Sequence, residues 1–132
     1  MLMMNHVDLN CINDAAYEYH VPAKLIISVL NVEGGKVGQA VKNTNGSYDL
    51  GPMQINTSWQ KPLQQQGVSL QQVRDDACTN IKVGTWILSR NIADGKDLFD
   101  GIGDYHSHTT RFNQQYSYQI RLRYTELAQW LS

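Results

Sequence analysis

The sequence lacks a long hydrophobic run, an excess of charge of either sign, and more than two cysteines. Its longest apolar stretch, around residues 25–30, is much shorter than the roughly 18 residues that a membrane helix needs, so we expect no membrane insertion. A formal net charge of -1 provides no basic surface for nucleic acid, so nucleic-acid binding is not expected either.

No signal peptide is visible at the amino terminus. Residues 1–6 have neither a basic segment nor a complete hydrophobic segment of the kind that secretory signals carry. We therefore expect either a protein that is not exported by that route or a mature or trimmed form of an exported one.

The two cysteines, Cys11 and Cys78, have no C-x-x-C spacing. A structural zinc site is therefore disfavoured, which leaves a disulfide or two buried thiols. A bridge between them would stabilise the fold by on the order of 4 kcal/mol in the chain-entropy model.

The size and composition predict one globular domain over residues 1–132. Hydrophobic residues make up 42% of the chain and charged residues 17%, which is typical of a folded protein with its own core. No repeat, low-complexity tract or linker divides it.

Hydrophobic periodicity and helix-capping residues predict a mostly helical chain. The predicted helices cover 8–19, Pro22 to about Glu33, 57 or 58 to 66, a turn capped by Ser69, Asp75 or Asp76 to about Ile92, Asp97 into 103–105, and about Thr110 to near Trp130. The last helix is expected to turn four side chains towards the core, namely Tyr116, Ile120, Tyr124 and Leu127.

Only residues 37–56 have β character. Asn45-Gly46 predicts a hairpin turn between short strands at 40–44 and 47–51. The segment after the turn is predicted to be a strand that carries Asp49 and Gln54. With the helices, this gives an α+β fold class, mostly helical, with a small hairpin.

Glu33 is the strongest candidate for a catalytic group. It follows Val29 by four residues and Leu30 by three, so it projects from the apolar side of its helix, just before a Gly34-Gly35 stop. Desolvation and the negative end of the helix dipole both raise the pKa of a carboxyl group in this place. A raised pKa is what a general acid working near neutral pH requires.

Asp49 and one group of histidines with an aspartate are further candidates for functional residues. Asp49 is the one acid expected to face Glu33 across a cleft, and such a pair suits cleavage of a glycosidic bond. Asp104, His106 and His108 could suggest a metal site, but no further ligand for it is identifiable in the sequence. A loop with incidental histidines is the better interpretation. No metal site is therefore expected from these residues.

An ordered set of motifs resembles one specific family. The motifs are Glu33-Gly34-Gly35, Asn43-x-Asn45-Gly46-Ser47-x-Asp49-x-Gly51-x-Met53-Gln54-Ile55-Asn56, Trp59, and Gly103-x-Tyr105-His106-Ser107. Together they resemble the lytic transglycosylases with a lysozyme-like fold, and most closely the small single-domain members associated with type III and type IV secretion, conjugation and pilus systems. The resemblance extends from about Cys11 to Tyr124. Pro52 and His106 depart from it, standing where many members have leucine and asparagine.

The resemblance implies the chemistry and the residues that carry it. Glu33 would be the sole acid and base, cleaving the bond between N-acetylmuramic acid and N-acetylglucosamine to leave a 1,6-anhydro end. No metal or cofactor would be needed. Met53 and Gln54 would line the substrate groove, and the Tyr105 hydroxyl would help to orient Glu33. Ser47 and Asn56 are further candidates for polar substrate contacts. The resemblance also favours a Cys11–Cys78 disulfide, since exported members carry a pair at these places.

The resemblance implies an exported or periplasmic monomer. Its partners would be peptidoglycan glycan strands and components of a secretion or conjugation apparatus.

Two alternatives remain open. The stretch from Asn45 to Trp59 is also similar to c-type lysozymes, retaining hydrolases in which an aspartate at the place of Asp49 is the nucleophile. A non-catalytic cell-wall-binding or assembly subunit on the same fold is the second alternative.

Overall fold

The computed structural model describes residues 9–131, and their side chains as far as residue 128. Its elements are α1 (Leu9–Tyr19), α2 (Ala23–Glu33), β1 (Ala40–Lys42), β2 (Tyr48–Leu50), β3 (Ile55–Asn56), a 3-10 turn (Thr57–Trp59), α3 (Gln60–Gln65), α4 (Leu70–Asp75), α5 (Ala77–Asp94), α6 (Leu98–Asp104) and α7 (Thr110–Leu131). The mostly helical α+β prediction is confirmed. None of the described helices is long and apolar enough to cross a membrane.

The helix α2 lies in the core and ends at the candidate acid. Residues 25–30 are all buried, and α2 packs along α7. Pro22 precedes the helix as its cap rather than occupying the first helical position as predicted. At the other end, Gly34 adopts a left-handed φ of 65° and donates its N–H to the Leu30 carbonyl at 2.9 Å. This is the glycine stop that the sequence predicts.

The capping predictions are confirmed at three helices and wrong at one. Ser69 forms a capping box with Gln72, and the Asp76 and Asp97 side chains cap α5 and α6. The predicted cap at Thr57 or Ser58 is wrong, because the Asn56 side chain accepts the Ser58 N–H at 3.0 Å. The predicted start of α1 at Asp8 lies outside the described residues.

The inward face of α7 is confirmed for three of its four predicted members. Tyr116, Ile120 and Leu127 are buried, whereas Tyr124 is 38% exposed. Tyr124 lies at the edge of an apolar depression that opens between α2, α5, α6 and α7, so its ring is covered on one side only.

The β region contains three antiparallel strands, in the order β1-β2-β3. Asp49 pairs with Val41 on one side and with Asn56 on the other. The prediction that one strand carries both Asp49 and Gln54 is wrong. The chain turns at residues 51–54, with φ of 65° at Gly51 and 53° at Gln54, and only then enters β3.

A buried amide on α5 fixes this turn. The Asn80 side chain is fully buried, accepts the Met53 N–H at 2.8 Å, and donates to the Leu50 and Val73 carbonyls at 2.8 and 2.9 Å. Each of these groups would be costly to bury without a partner. Asn80 therefore connects the turn to the helical core.

A disulfide joins Cys11 at the start of α1 to Cys78 at the start of α5. The two Cα atoms are 5.1 Å apart, across a sequence separation of 67 residues. The bridge thus ties α1 to α5, against which it packs.

Candidate active site

A cleft of about 310 Å³ lies between the helical part of the fold and the sheet. Its lining comes from the end of α2, the sheet, the 51–54 turn, the 3-10 turn, α5 and the end of α6. The lining residues are Glu33, Asn43, Asp49, Gln54, Ile55, Asn56, Trp59, Ile87, Tyr105 and His106. The cleft therefore collects, from separate elements of the fold, most of the polar residues that the sequence singles out.

Glu33 lies partly buried on the helical wall of this cleft. Burial raises the pKa of its carboxyl group to about 7, and the negative charge of Asp49 adds to the rise. The Tyr116 hydroxyl opposes the rise, because a hydrogen-bond donor favours the charged carboxylate. The group is thus half-protonated near neutral pH and can both donate and accept a proton there.

Two stacked tyrosines cover the helical side of Glu33. The rings of Tyr105 and Tyr116 stack with centroids 6.3 Å apart, and the His106 ring stacks on Tyr116 at 5.0 Å. The Tyr116 hydroxyl is buried and has no hydrogen bond of standard geometry among the described residues. Burial, followed by the charge of Glu33, raises the pKa of both tyrosines well above their ordinary value, so both keep their hydroxyl protons.

The Tyr105 hydroxyl is engaged elsewhere than the resemblance implies. It donates to the Met53 carbonyl at 2.8 Å, which ties the end of α6 to the 51–54 turn. The hydroxyl that lowers the pKa of the Glu33 carboxyl, against the larger effect of burial, is that of Tyr116. The sequence predicts Tyr116 only as a core residue of α7. Its position beside Glu33 follows from the packing of α7 against α2, which the sequence does not reveal.

Asp49 lies on the opposite wall within a network of amides. Its Oδ1 accepts from the side chains of Asn43 at 3.1 Å and Asn56 at 2.9 Å. The same two amides donate to the Ser47 hydroxyl oxygen at 3.1 and 3.0 Å, and that hydroxyl donates to Asn45. Asn56 thus bonds Asp49 directly and lines the cleft, whereas Ser47 acts on Asp49 only through the two amides that they share.

Gln54 enters the cleft in a conformation that few non-glycine residues adopt. Its φ is 53°, and its side-chain amide donates to the Gly51 carbonyl at 3.0 Å. The side-chain oxygen of Gln54 is then available to accept a hydrogen bond in the cleft. A Cβ on Gly35 would meet both Gly51 and Gln54, so the glycine after the α2 stop lets the turn approach Glu33 closely. Strained backbone of this kind is common at functional sites.

The Met53 side chain does not line the cleft as the resemblance implies. It is fully buried and packs in the space left by Gly84, where an added Cβ would meet the Met53 sulfur. Met53 acts instead through its backbone, whose N–H and carbonyl are held by Asn80 and Tyr105. Its thioether is a core group because the turn directs it inward, against α5.

The other polar grouping from the sequence is structural. Asp104 accepts from Asn113 at 2.7 Å and lies 3.3 Å from the imidazole of His108, whereas His106 stacks on Tyr116. Across the described part of the chain, no group of three or more His, Cys, Asp or Glu side chains is placed to hold a metal ion.

A second cavity, the apolar depression of about 450 Å³ beside Tyr124, offers no comparable chemistry. None of the described residues that line it is an aspartate or a glutamate. We therefore place the candidate active site in the cleft with Glu33.

Comparison with known proteins shows the family to which the chain belongs. Residues 10–126 match the family model described as the transglycosylase SLT domain. The chain belongs to this family. Family membership gives it a lysozyme-like fold and, at the level of the family, the character of a lytic transglycosylase.

Three curated relatives share most of their length with this SLT-domain chain. The Invasion protein IagB of Salmonella typhimurium is 30% identical over 83% of this chain and 69% of its own. The Peptidoglycan-binding-like protein of Escherichia coli O157:H7 is 28% identical over 94% and 81%. Protein IpgF of Shigella flexneri is 27% identical over 90% and 82%.

Two residues at or beside the site, Asn80 and Tyr116, are not among the site residues that the sequence predicts. Asn80 lies next to the predicted inner stripe of α5, and a polar residue beside an apolar stripe could have been recognised as one that needs buried hydrogen-bond partners. Tyr116 is predicted only as a core residue of α7, and no local pattern distinguishes it. Their positions depend on contacts between elements that are far apart in sequence.

Proposed function

We propose that this protein is a peptidoglycan lytic transglycosylase in which Glu33 is the only acid and base. The observation that carries the proposal is the Glu33 carboxyl on the cleft wall, where burial raises its pKa to about 7. A group with this pKa is protonated often enough to act as an acid and ionised often enough to act as a base. Family membership supports the choice of reaction.

The proposed reaction moves one proton from Glu33 and returns one to it. Glu33 protonates the oxygen between C1 of N-acetylmuramic acid and C4 of N-acetylglucosamine, and the C1–O bond breaks. The C6 hydroxyl oxygen of the same muramic acid then bonds to C1, and its proton passes to the Glu33 carboxylate. The products are an N-acetylglucosamine end with a free 4-hydroxyl and a 1,6-anhydro end. No water is consumed, and Glu33 is protonated again.

The other cleft residues have proposed roles in binding and positioning. The Gln54 side-chain oxygen accepts a hydrogen bond from the sugar, and Asn56 contributes through the network around Asp49. Tyr105 positions the 51–54 turn through the Met53 carbonyl, and Tyr116 positions the acid.

The cellular setting is proposed on the resemblance in the sequence. The protein acts outside the cytoplasmic membrane, as one domain and as a monomer, and opens glycan strands locally for a secretion or conjugation apparatus. One relative is named for invasion and another for a likeness to peptidoglycan binding, and both names fit such a role.

The second candidate function is a lysozyme-type hydrolase in which Asp49 is the nucleophile. The observation that favours it is that Asp49 lines the same cleft and that its charge reaches Glu33. A covalent or water-consuming route through Asp49 would give reducing ends instead of anhydro ends. A non-catalytic binding subunit is the third candidate, and it would give no products.

Product analysis separates the three functions. Purified sacculi are digested with the protein, with Glu33→Gln and with Glu126→Gln, and the soluble fragments are analysed by mass spectrometry. Glu126 is an exposed glutamate paired with Arg123 far along α7, so its variant is the matched control. We expect anhydro-muropeptides from the native protein and the control, and none from Glu33→Gln. Reducing ends alone, or products from Glu33→Gln, would contradict the proposal.

A further inference from the structure

An arginine lies over two indole rings at one end of the cleft. Trp59 lines the cleft and contacts Trp86 edge-to-face, with ring centroids 5.6 Å apart. The Arg90 guanidinium carbon lies 5.1 Å from the Trp86 ring centroid and 6.0 Å from that of Trp59. Ile87, one turn earlier on α5, also lines the cleft. Arg90 is therefore held at the cleft rim by cation–π contacts.

Arg90 carries a charge that no acid of the described chain neutralises. The ion pairs among residues 9–128 use Arg74, Lys82, His108 and Arg123, and Asp94, one turn after Arg90 on α5, forms none with it. The side chain is exposed, so its N–H donors are available to a ligand. A planar guanidinium that rests on rings and keeps its donors is suited to binding a carboxylate.

The carboxyl groups in the described lining of the cleft disfavour an anionic substrate. Its lining includes the carboxyl groups of Glu33 and Asp49, and none of the described lining residues is lysine or arginine. Peptidoglycan is rich in carboxylates, which two acids in the cleft would repel. A cation at the rim offsets this repulsion and fixes the register of the strand.

We propose that Arg90 binds a carboxylate of the peptidoglycan strand, next to a sugar that lies against Trp59. This inference rests on the proposed function for its substrate. The carboxylate has two chemical sources: the stem peptide, or the lactyl group of muramic acid where the peptide has been removed.

Binding in the Glu33→Gln background tests the inference without any cleavage. Arg90→Ala and Arg90→Lys are introduced there, and Arg111→Ala serves as the matched control, since Arg111 also lies over a ring, that of Phe112 at 4.6 Å, away from the cleft. Dissociation constants are measured for intact sacculi, for glycan strands freed of peptides, and for N-acetylglucosamine oligomers, which have no carboxylate. Melting temperatures confirm that each variant is folded.

We expect Arg90→Ala to weaken binding to a carboxylate-bearing strand by roughly tenfold, with Arg90→Lys intermediate and Arg111→Ala unchanged. Binding to the N-acetylglucosamine oligomers should change little. A loss only on sacculi identifies the stem peptide, and a loss on peptide-free strands identifies the lactyl group. Unchanged binding to both strands, or an equal loss on the neutral oligomers, would overturn the inference. Reducing ends from the native protein would refute the proposed function and leave this result standing.

Discussion

The two walls of the cleft hold the same chemical group in opposite surroundings. On the helical wall, the Glu33 carboxyl lies against apolar core and tyrosine rings, and burial raises its pKa to about 7. On the sheet wall, Asp49 accepts two amide N–H groups on one oxygen. We propose that this difference gives the two acids separate roles: desolvation prepares Glu33 to exchange a proton, and amides hold Asp49 in place.

The largest expected effect separates the two acids by activity. Glu33→Gln removes the proton donor and should lower the rate of anhydro-product formation by about 10²–10⁴-fold. Asp49→Asn keeps an oxygen for the amides of Asn43 and Asn56, so we expect a loss of only about tenfold, typical of one weakened polar contact. Initial rates on sacculi measure both. Near-equal losses would contradict the contrast and favour a nucleophilic Asp49.

A second prediction concerns stability, since a carboxyl held at a raised pKa destabilises the fold when it ionises. The pKa of Glu33 rises from an ordinary 4.5 to about 7 on folding. The folded state therefore binds more protons between these values, and stability falls as pH rises from about 4.5 through 7. Glu33→Gln removes this cost, so the variant should exceed the native protein by about 3 kcal/mol at pH 8 and match it near pH 4.

Urea unfolding at the two pH values measures the stability difference. Glu126→Gln serves as the comparison, because it makes the same substitution at an exposed position on α7, away from the cleft. A Glu33→Gln variant that is no more stable at pH 8 than the native protein would show that the carboxyl is not desolvated.

The smallest predicted effects are opposite shifts of the alkaline limb of the pH–rate profile. Activity should fall as pH rises through about 7, because Glu33 loses the proton that it donates. Asp49→Asn removes a negative charge that raises the pKa of Glu33, so the limb moves to lower pH. Tyr116→Phe removes a donor that lowers this pKa, so the limb moves to higher pH.

Profiles of kcat/KM against pH for the two variants measure these shifts. Tyr118→Phe is the matched control, because Tyr118 lies on the same helix and is 60% exposed. Shifts in the same direction for Asp49→Asn and Tyr116→Phe would contradict the electrostatic account.

The helical wall could largely be predicted from the sequence, since its determinants are local. The apolar stripe of α2, the glycine at its end and the offset of Glu33 from Leu30 all lie within one helix and its cap. These features follow from helical geometry and predict the position of the acid.

The sheet wall could be predicted only in part, because its shape depends on distant contacts. Asn45-Gly46 predicts the hairpin, but the turn at residues 51–54 is fixed by Asn80, which follows it by more than 25 residues in sequence. The same dependence explains why Met53 is buried and why Gln54 lies in a turn instead of a strand. The hydroxyl of Tyr116 likewise reaches Glu33 through the packing of α7 on α2.

The most direct test of the central claim is digestion of peptidoglycan by the native protein in H₂¹⁸O. If one carboxyl group carries out both proton transfers and the muramic acid C6 hydroxyl closes the ring, the new ends are 1,6-anhydro sugars without ¹⁸O. Reducing ends that carry one ¹⁸O atom would show that water attacks C1, and would contradict the account of Glu33 as the only acid and base.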